Sequence, residues 1–497
     1  MTRRPLQESG ANSARRALLE AARYVAPTEP MASVFLRETR RLTGSADVDP
    51  LLSHWSSRAL GNPTGSDRYR WELTHQRGTG LPAYLGPAPT WRAWRSSEQS
   101  VLERDPFVFE ERLTAPIVAC ESAELLAETA ESDARAASLL DEADAVLRRD
   151  FASLALERNA WADTFGLYCL TRYAATFERL YPIAVAVAET YALRAERSGG
   201  VVTGTRFPLH DRKLCSASAQ LATALLALGS HTDVVASCVE FVAGELHANG
   251  GFSDAPDPPD VLTTLVAAEL LARTDPGFAL ETSASFFLER QEESGFFRAL
   301  GPELPWLTLA IASWLDEWQQ PFCARFRFPH APLANLDKKT GLPFFAYFAE
   351  VARLFSALSG LAQAQVPVAF IDLIGFRAFN NRFGQALGDE VLGFFAKALD
   401  AVPETRAIRD GGDEFLIVGA PTGQGLERKF DELQRAWPHS FRERFGGDAP
   451  PVLARVLVTT TRGQSLLSAR EGLGRAIGEL KHAPLTPDYG ILRSVQL

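Results

Sequence analysis

Hydrophobic residues recur at three- and four-residue spacing between residues 120 and 320, which predicts amphipathic helices. The stretch SAELLAETAESDARAASLLDEADAVLRRDFASLALERNA combines this spacing with the helix-favouring residues Ala, Leu, Glu and Arg. Residues 1–110 instead mix short helical pieces with polar stretches that are interrupted by Gly and Pro. We therefore predict a poorly defined N-terminal segment at 1–110, which packs on an α-helical repeat domain at 111–325.

A loose repeat runs through the second half of the helical region. Three units each contain a small-residue turn, a polar loop with Pro and an apolar helix, and they start at Ser198, Asn249 and Ser294. The starts lie 51 and 45 residues apart (249 − 198 and 294 − 249), within the period range of stacked helix pairs. Because one helix pair cannot bury its own apolar face, we expect the units to stack or close on one another.

The pattern changes after a Pro-rich, aperiodic stretch, which predicts a linker at 326–336 and a second domain at 337–497. The predicted elements are a strand in PVAFIDLIGF, a helix in NRFGQALGDEVLGFFAKALDAV, a hairpin in RAIRDGGDEFLIVGAP, a helix in LERKFDELQRAW, a strand in PPVLARVLVTTT and a helix in LLSAREGLGRAIGELKH. This order describes a split β-α-β sheet. The predicted fold class is multidomain, with an all-α N-terminal region followed by an α+β, ferredoxin-like palm.

Composition narrows the classes of function. A hydrophobic fraction of 46% supports packed cores, and a net charge of −10 argues against a general nucleic-acid-binding or polybasic membrane-surface protein. The five cysteines are scattered without a CxxC pair, which is typical of reduced thiols. With no secretory signal and no long apolar run, we expect a cytoplasmic protein with no membrane span and no nucleic-acid partner.

Three acidic residues of the second domain suggest a site. Asp372 comes at the end of the apolar strand, and Asp413 and Glu414 follow a Gly-Gly turn formed by Gly411 and Gly412. In a split β-α-β sheet the first strand and this hairpin are neighbours, so the three carboxylates can converge on a hard cation such as Mg²⁺. Taken alone, the hairpin could also be a polar turn with unrelated surface acids.

Three ordered motifs resemble the GGDEF family of diguanylate cyclases over about residues 333–485. LDKKTGLPFF looks like the family's DxLTGLxNR entry motif, FIDLIGFRAFNNRFGQALGDEVL looks like the following D-x-D-x-F-K-x-x-N-D…G-D segment, and RDGGDEF supplies the signature. The resemblance implies a diguanylate cyclase that uses GTP, requires Mg²⁺ (or Mn²⁺) and works as a homodimer. It assigns the metal site, including the catalytic acids, to Asp372, the backbone carbonyl of Leu373, Asp413 and Glu414.

The same resemblance implies a nucleotide site around these acids. Asn380 and Asp389 match positions that hydrogen-bond guanine, which an amide and a carboxylate can distinguish from adenine. The remaining nucleotide-binding positions that the resemblance implies are Phe376, Arg377, Gly411, Gly412 and Lys481.

The chain also departs from the family pattern. Ile374 replaces the second acid of the DxD-like pair, and Ile477 stands where the family has a phosphate-binding Lys. AVPETRAIR lacks the RxxD that precedes GGDEF in members with product inhibition, so we expect no inhibitory product site. The alternative is therefore a degenerate domain that binds GTP or another nucleotide and regulates the helical domain without catalysis.

A weaker resemblance concerns the helical region, about residues 150–320. Its glycine-aromatic turns GGFSDAPDPPD and QEESGFF look like those of the α/α-toroid superfamily of terpenoid cyclases and protein prenyltransferases. No DxDD acid motif or convincing zinc ligand set is present, and the acids of DAPDPPD are interpreted as a solvated loop and a helix N-cap. The helical domain is expected to be sensory, dimerising or able to bind a small apolar ligand. A third hypothesis makes it the working enzyme or lipid binder, with the palm as its regulator.

Overall fold

The computed structural model describes two main stretches of the chain. The described residues are 44, 164, 167–168, 174–198, 213–254, 258–293, 295, 297, 305–317, 326, 328–329, 331, 335–402, 404–419, 422–480 and 491–496. Outside these residues lie most of the predicted N-terminal segment, residues 199–212 of the repeat that starts at Ser198, and Lys481. The described residues form two compact units: a helical unit up to residue 319, and a unit from residue 320 that also includes 226–232 and 272–277.

Helices make up the described part of the first region. They are α1 Ala174–Ser198, α2 Cys215–Leu228, α3 Thr232–Gly244, α4 Val261–Thr274, α5 Leu280–Leu288 and α6 Pro305–Glu317. Helix α2 is apolar on nearly all sides, and Cys215 is a buried thiol at its first turn. The Oδ1 atom of Asp260 accepts from the backbone N of Thr263 at 2.8 Å, which confirms the predicted N-cap of α4.

Two of the predicted repeats contain the same kind of internal hydrogen bond, from a backbone N–H to a threonine side chain. The backbone N of Phe252 donates to Thr264 Oγ1, and the backbone N of Phe297 donates to Thr308 Oγ1, both at 2.9 Å. The two aromatic residues are 45 residues apart (297 − 252), which equals the spacing between the second and third repeat starts. This contact is evidence for the repeat, whereas the closed α/α-toroid stays a prediction.

The second unit is an α+β domain. Its elements are α7 Phe345–Ala357, α8 Ser359–Gln363, β1 Gln365–Leu373, α9 Phe376–Phe383, α10 Gln385–Asp400, β2 Thr405–Gly411, β3 Glu414–Gly419, α11 Gly423–Phe445, β4 Ala454–Arg462, α12 Leu466–Leu480 and β5 Ile491–Ser494. The strand order is β2-β3-β1-β4-β5, with β4 and β5 parallel and the other pairs antiparallel. The first four strands thus have the order predicted for a split β-α-β palm.

Alternation along β1 separates two faces of the sheet. Ala369, Ile371 and Leu373 belong to a core that includes side chains of α9, α10 and α11. Because successive strand side chains point to opposite faces, Phe370 and Asp372 lie on the other face. Strand β1 is buried on both faces, so a polar side chain on it requires a partner.

Some elements differ from the sequence-based prediction. The single helix predicted from Asn381 is two helices, since Gly384 breaks it with φ of +92°. The helix predicted to end before Pro438 continues to Phe445, because the buried side chains of Trp437 and Phe441 hold it on the core and offset the hydrogen bond that Pro lacks. Helix α7 and strand β5 were not predicted.

Candidate active site

A row of charged residues crosses the sheet at the end of β1. Asp372 lies directly opposite Glu414 of β3 on one side and opposite Arg455 of β4 on the other. Residues opposite each other in an antiparallel pair project from the same face, with Cβ atoms about 4.5–5.5 Å apart. Strand register therefore brings together residues that are distant in sequence.

The buried members of this row form an ion pair. Arg455 Nη1 lies 3.1 Å from Asp372 Oδ2, and the two side chains are only 8% and 6% exposed. A guanidinium does not deprotonate in proteins, so burial of this cation is stabilised mainly by the carboxylate opposite it. Asp372 thus already has a cationic partner from within the sheet.

The signature hairpin carries the other two acids. Gly412, with φ of +52°, and Asp413 form its two-residue turn, while Gly411 is the last residue of β2. A positive φ at the first turn residue is the reason that glycine is required there. The backbone N of Leu373 donates to the carbonyl O of Asp413 at 3.2 Å, which fixes the turn against the end of β1.

The entry motif supports this hairpin through a buried arginine. Arg409 Nη1 lies 2.5 Å from Asp337 Oδ2, and Arg409 Nη2 donates to the carbonyl O of Gly412. Burial raises the pKa of Asp337, but the hydrogen bond from Thr340 and the charge of Arg409 outweigh it, and the pKa is lowered overall. The shape of the turn thus depends on residues 72 positions apart.

A second arginine lies near the acids on helix α12. Arg470 forms a bidentate ion pair with Asp410, whose side chain is almost fully buried. The hydrogen bond to Asp410, followed by the negative charges of Asp410 and Glu414, raises the pKa of Arg470 despite partial burial. This guanidinium is therefore already engaged by the last residues of β2. Ile477 itself is 1% exposed and faces the core.

The predicted base-recognition residues lie on neighbouring helices. Asn380 on α9 has a buried Oδ1 atom with no hydrogen-bond partner, and it lies against Gly388 of α10. Asp389, the next residue, is held by Lys339, with Nζ 2.8 Å from Oδ1 at an exposed position. The contact between α9 and α10 therefore places the Asn380 amide beside Gly388, the residue before Asp389. A base site that Asn380 and Asp389 share would require such proximity.

The first two residues of α9, Phe376 and Arg377, have different environments. Phe376 is 6% exposed and stacks with Phe379, so its ring belongs to the core. Arg377 is exposed, as a phosphate-binding cation would be. Any contact of Phe376 with a nucleotide would therefore be made by its backbone.

The donor set fits a divalent cation by its chemistry. The carboxylates of Asp372, Asp413 and Glu414 are the hard oxygen ligands that Mg²⁺ prefers, and two of them are nearest neighbours across the sheet. Within the part of the chain that the structure describes, no three His, Cys, Asp or Glu side chains are gathered closely enough to hold a metal ion. The ligand roles assigned to these acids therefore stay predictions.

Sequence reasoning missed three charged partners. Arg455, Lys339 and the Arg470–Asp410 pairing became visible only from strand register and helix packing. One signal was present in the sequence: an arginine in the otherwise apolar run VLARVLV requires a buried anion if the run is a central strand.

Comparison with known proteins agrees with the motifs. Residues 334–441 match the family described as "Diguanylate cyclase, GGDEF domain", and this part of the chain is a GGDEF domain. The diguanylate cyclase TpbB of Pseudomonas aeruginosa is 35% identical over 125 residues, which cover 24% of this chain and 27% of that protein. The diguanylate cyclase DgcP of Escherichia coli is 39% identical over 85 residues, 16% of this chain and 25% of that protein. This chain thus spans about a quarter of the length of these curated relatives.

A further relative and a solved structure also match this chain. The cyclic di-GMP phosphodiesterase PdeR of Escherichia coli is 32% identical over 94 residues, covering 18% of this chain and 14% of that protein. Among solved structures, the GGDEF domain of DgcB from Caulobacter crescentus in complex with c-di-GMP is 22% identical, with 32% of this chain and 95% of that chain covered and a TM-score of 0.28.

Among the described helices, none combines the length and the apolar character that crossing a membrane requires.

Proposed function

We propose that the chain is a diguanylate cyclase, which condenses two GTP into cyclic di-GMP and two pyrophosphates. The observation that carries the proposal is the pairing of Asp372 with Glu414 across the sheet, with the turn at Asp413 hydrogen-bonded to Leu373. These residues lie within the GGDEF domain, whose relatives include proteins named diguanylate cyclase.

In this proposal the end of β1 and the hairpin hold the reacting groups. Asp372, Asp413, Glu414 and the carbonyl of Leu373 would hold Mg²⁺ or Mn²⁺, which would lower the pKa of a ribose 3′-hydroxyl and neutralise charge on the departing pyrophosphate. Glu414, half-buried at the start of β3, would help to accept the hydroxyl proton. The exposed glycine backbone at Gly411 and Gly412 leaves room for phosphates beside the turn.

Base and phosphate recognition would come from α9 and α10. Asn380, whose buried Oδ1 has no hydrogen-bond partner, would turn its amide outward to accept a hydrogen bond from the guanine N1–H or N2–H₂ edge, and Asp389 would accept a second. Adenine lacks this pair of donors, so the site would favour GTP. Arg377 would contact phosphate from its exposed position, and Lys481 would add a further cation.

Catalysis would require two domains face to face, because each holds one GTP and the product contains two guanosines. The helical domain would supply that assembly as a dimerising or sensory unit, or respond to a small apolar ligand. Without an RxxD motif before the signature, cyclic di-GMP should not inhibit the enzyme through that site.

A second candidate is a nucleotide-binding regulator without catalysis. It is favoured by the ion pair that Arg455 forms with Asp372 and by the burial of Ile477 at the position of the family's cation.

Incubation of the purified chain with GTP and Mg²⁺ separates the two candidates. We expect chromatography to show cyclic di-GMP and pyrophosphate in a two-to-one ratio of pyrophosphate to product. The Asp413→Asn/Glu414→Gln variant, which keeps side-chain shape, should form none. GTP that binds in calorimetry but stays intact over a long incubation would refute the cyclase and support the regulator.

A further inference from the structure

The strongest unexplained feature of the site is the cation beside its central carboxylate. Arg455 lies in β4 between Ala454 and Val456, which both pack in the opposite core, so its own side chain projects onto the face that carries Asp372. At 8% exposure, its guanidinium is enclosed by the protein rather than hydrated.

The position of Arg455 is fixed by the backbone. The β1–β4 pairing runs without a register shift from Gln365–Arg462 to Leu373–Ala454, so Arg455 cannot be moved along the strand without breaking the ladder. Only rotation of its side chain can separate the guanidinium from the carboxylate. The backbone therefore always holds Arg455 close enough to Asp372 for its guanidinium to compete with any other cation there.

We propose that Arg455 holds Asp372 in a metal-free state, and that a divalent cation binds this carboxylate only by displacing the guanidinium. The inference rests on the proposed function, because it concerns the metal site of that cyclase. Arg455 is a positioning residue here: it acts on the metal through Asp372 and is not assigned a contact with GTP.

The free energy of the Arg455–Asp372 interaction sets the expected change in divalent-cation affinity. Displacement breaks a charge-assisted hydrogen bond and leaves a buried cation beside a second positive charge. A bond of this kind corresponds to about a ten- to hundredfold change in binding. Removing the guanidinium should therefore tighten divalent-cation binding by about tenfold or more.

The test measures binding of Mn²⁺ alone to the full chain without nucleotide, from the loss of the free-ion signal in electron paramagnetic resonance. Arg455→Gln should bind Mn²⁺ at least about tenfold more tightly than the natural chain. Arg462→Gln is the matched control, because it removes the same charge from the exposed end of the same strand and should leave the affinity unchanged.

Thermal unfolding supplies a second readout. In Arg455→Gln the buried carboxylate loses its ion pair with residue 455, so Mn²⁺ should raise the unfolding temperature of this variant more than that of the natural chain. If Arg455→Gln does not fold, Arg455→Lys replaces it in the test. The shorter lysine side chain carries one point charge and pairs less well with Asp372, so this variant should also bind Mn²⁺ more tightly than the natural chain.

An unchanged or weaker Mn²⁺ affinity in the folded variant overturns the proposal, as does equal tightening in Arg462→Gln. Failure of the cyclase is a separate result, because binding is measured without GTP. If Arg455→Gln binds Mn²⁺ more tightly but the natural chain forms no cyclic di-GMP, the role of Arg455 is supported and the proposed activity is refuted.

Discussion

The substitution Gly388→Ala tests whether Asn380 reads the base. A Cβ atom at residue 388 would lie 1.8 Å from Asn380 Oδ1 and 2.8 Å from its Cγ, far inside van der Waals contact. The colliding atoms belong to the end of a side chain rather than to backbone, so the Asn380 amide can turn away while the two helices keep their places. The expected result is a displaced amide in an otherwise folded domain.

The substitution should change stability little but should weaken GTP binding. Alanine is favoured over glycine in a helix interior by up to about 1 kcal/mol, and this gain is offset by the cost of moving the amide. We therefore expect the free energy of unfolding to stay within about 1 kcal/mol of its original value. Loss of the amide's hydrogen bond to guanine should weaken GTP binding by about 1–3 kcal/mol, or about 5- to 150-fold.

Titration calorimetry with GTP and ATP measures the binding effect, and urea unfolding measures the stability effect. Gly478→Ala is the matched control: it makes the same change in helix α12, where nothing lies within 4 Å of the added Cβ, and should leave GTP affinity unchanged. Asn380→Ala should lose the same affinity, and the double variant should lose little more, since both changes remove one interaction. The reasoning is refuted if Gly388→Ala binds GTP as the natural chain does while Asn380→Ala does not.

Three further substitutions test the charges and the turn around the site. Because the pKa of Asp337 is lowered in the folded state, its stabilising contribution is present above the unfolded pKa and is lost as pH falls through the lower folded value. Asp337→Asn should therefore flatten the acid limb of a plot of urea midpoint against pH, and an unchanged acid limb would contradict this. Gly412→Ala should lower the free energy of unfolding by about 1–2 kcal/mol in urea titrations because of the positive φ, with Gly412→Asn closer to the natural value. Lys339→Ala should change stability by less than about 1 kcal/mol, since its ion pair with Asp389 is exposed, but should tighten GTP binding in calorimetry by freeing that carboxylate. Weaker GTP binding in Lys339→Ala would instead assign the lysine to the nucleotide.

Local patterns predicted much of the second domain. The apolar runs of β1, β3 and β4 and the spacing of α12 all agree with the structure, because burial on a sheet or one helix face leaves a direct trace in the sequence. Glycine chemistry was harder to read. Both Gly411 and Gly412 were predicted in the turn, but the turn is formed by Gly412 and Asp413, and of the two glycines only Gly412 has a positive φ. A pair of adjacent glycines does not specify which one occupies the strained position.

The sequence alone was enough to name three candidate acids. Asp372, Asp413 and Glu414 could be named from their motifs and from the expected neighbourhood of the first strand and the hairpin, and the cross-strand pairing of Asp372 with Glu414 agrees with that neighbourhood. Their metal-binding roles are still predictions.

Only the tertiary structure decided what surrounds these acids. Arg455 is 83 residues from Asp372 in the chain, yet strand register places the two charges 3.1 Å apart. A one-residue shift of that register would turn Arg455 to the opposite face, so its role cannot be read from residue type or spacing. The sequence carries the strand pattern, whereas the contact between this buried cation and Asp372 depends on how the strands pair.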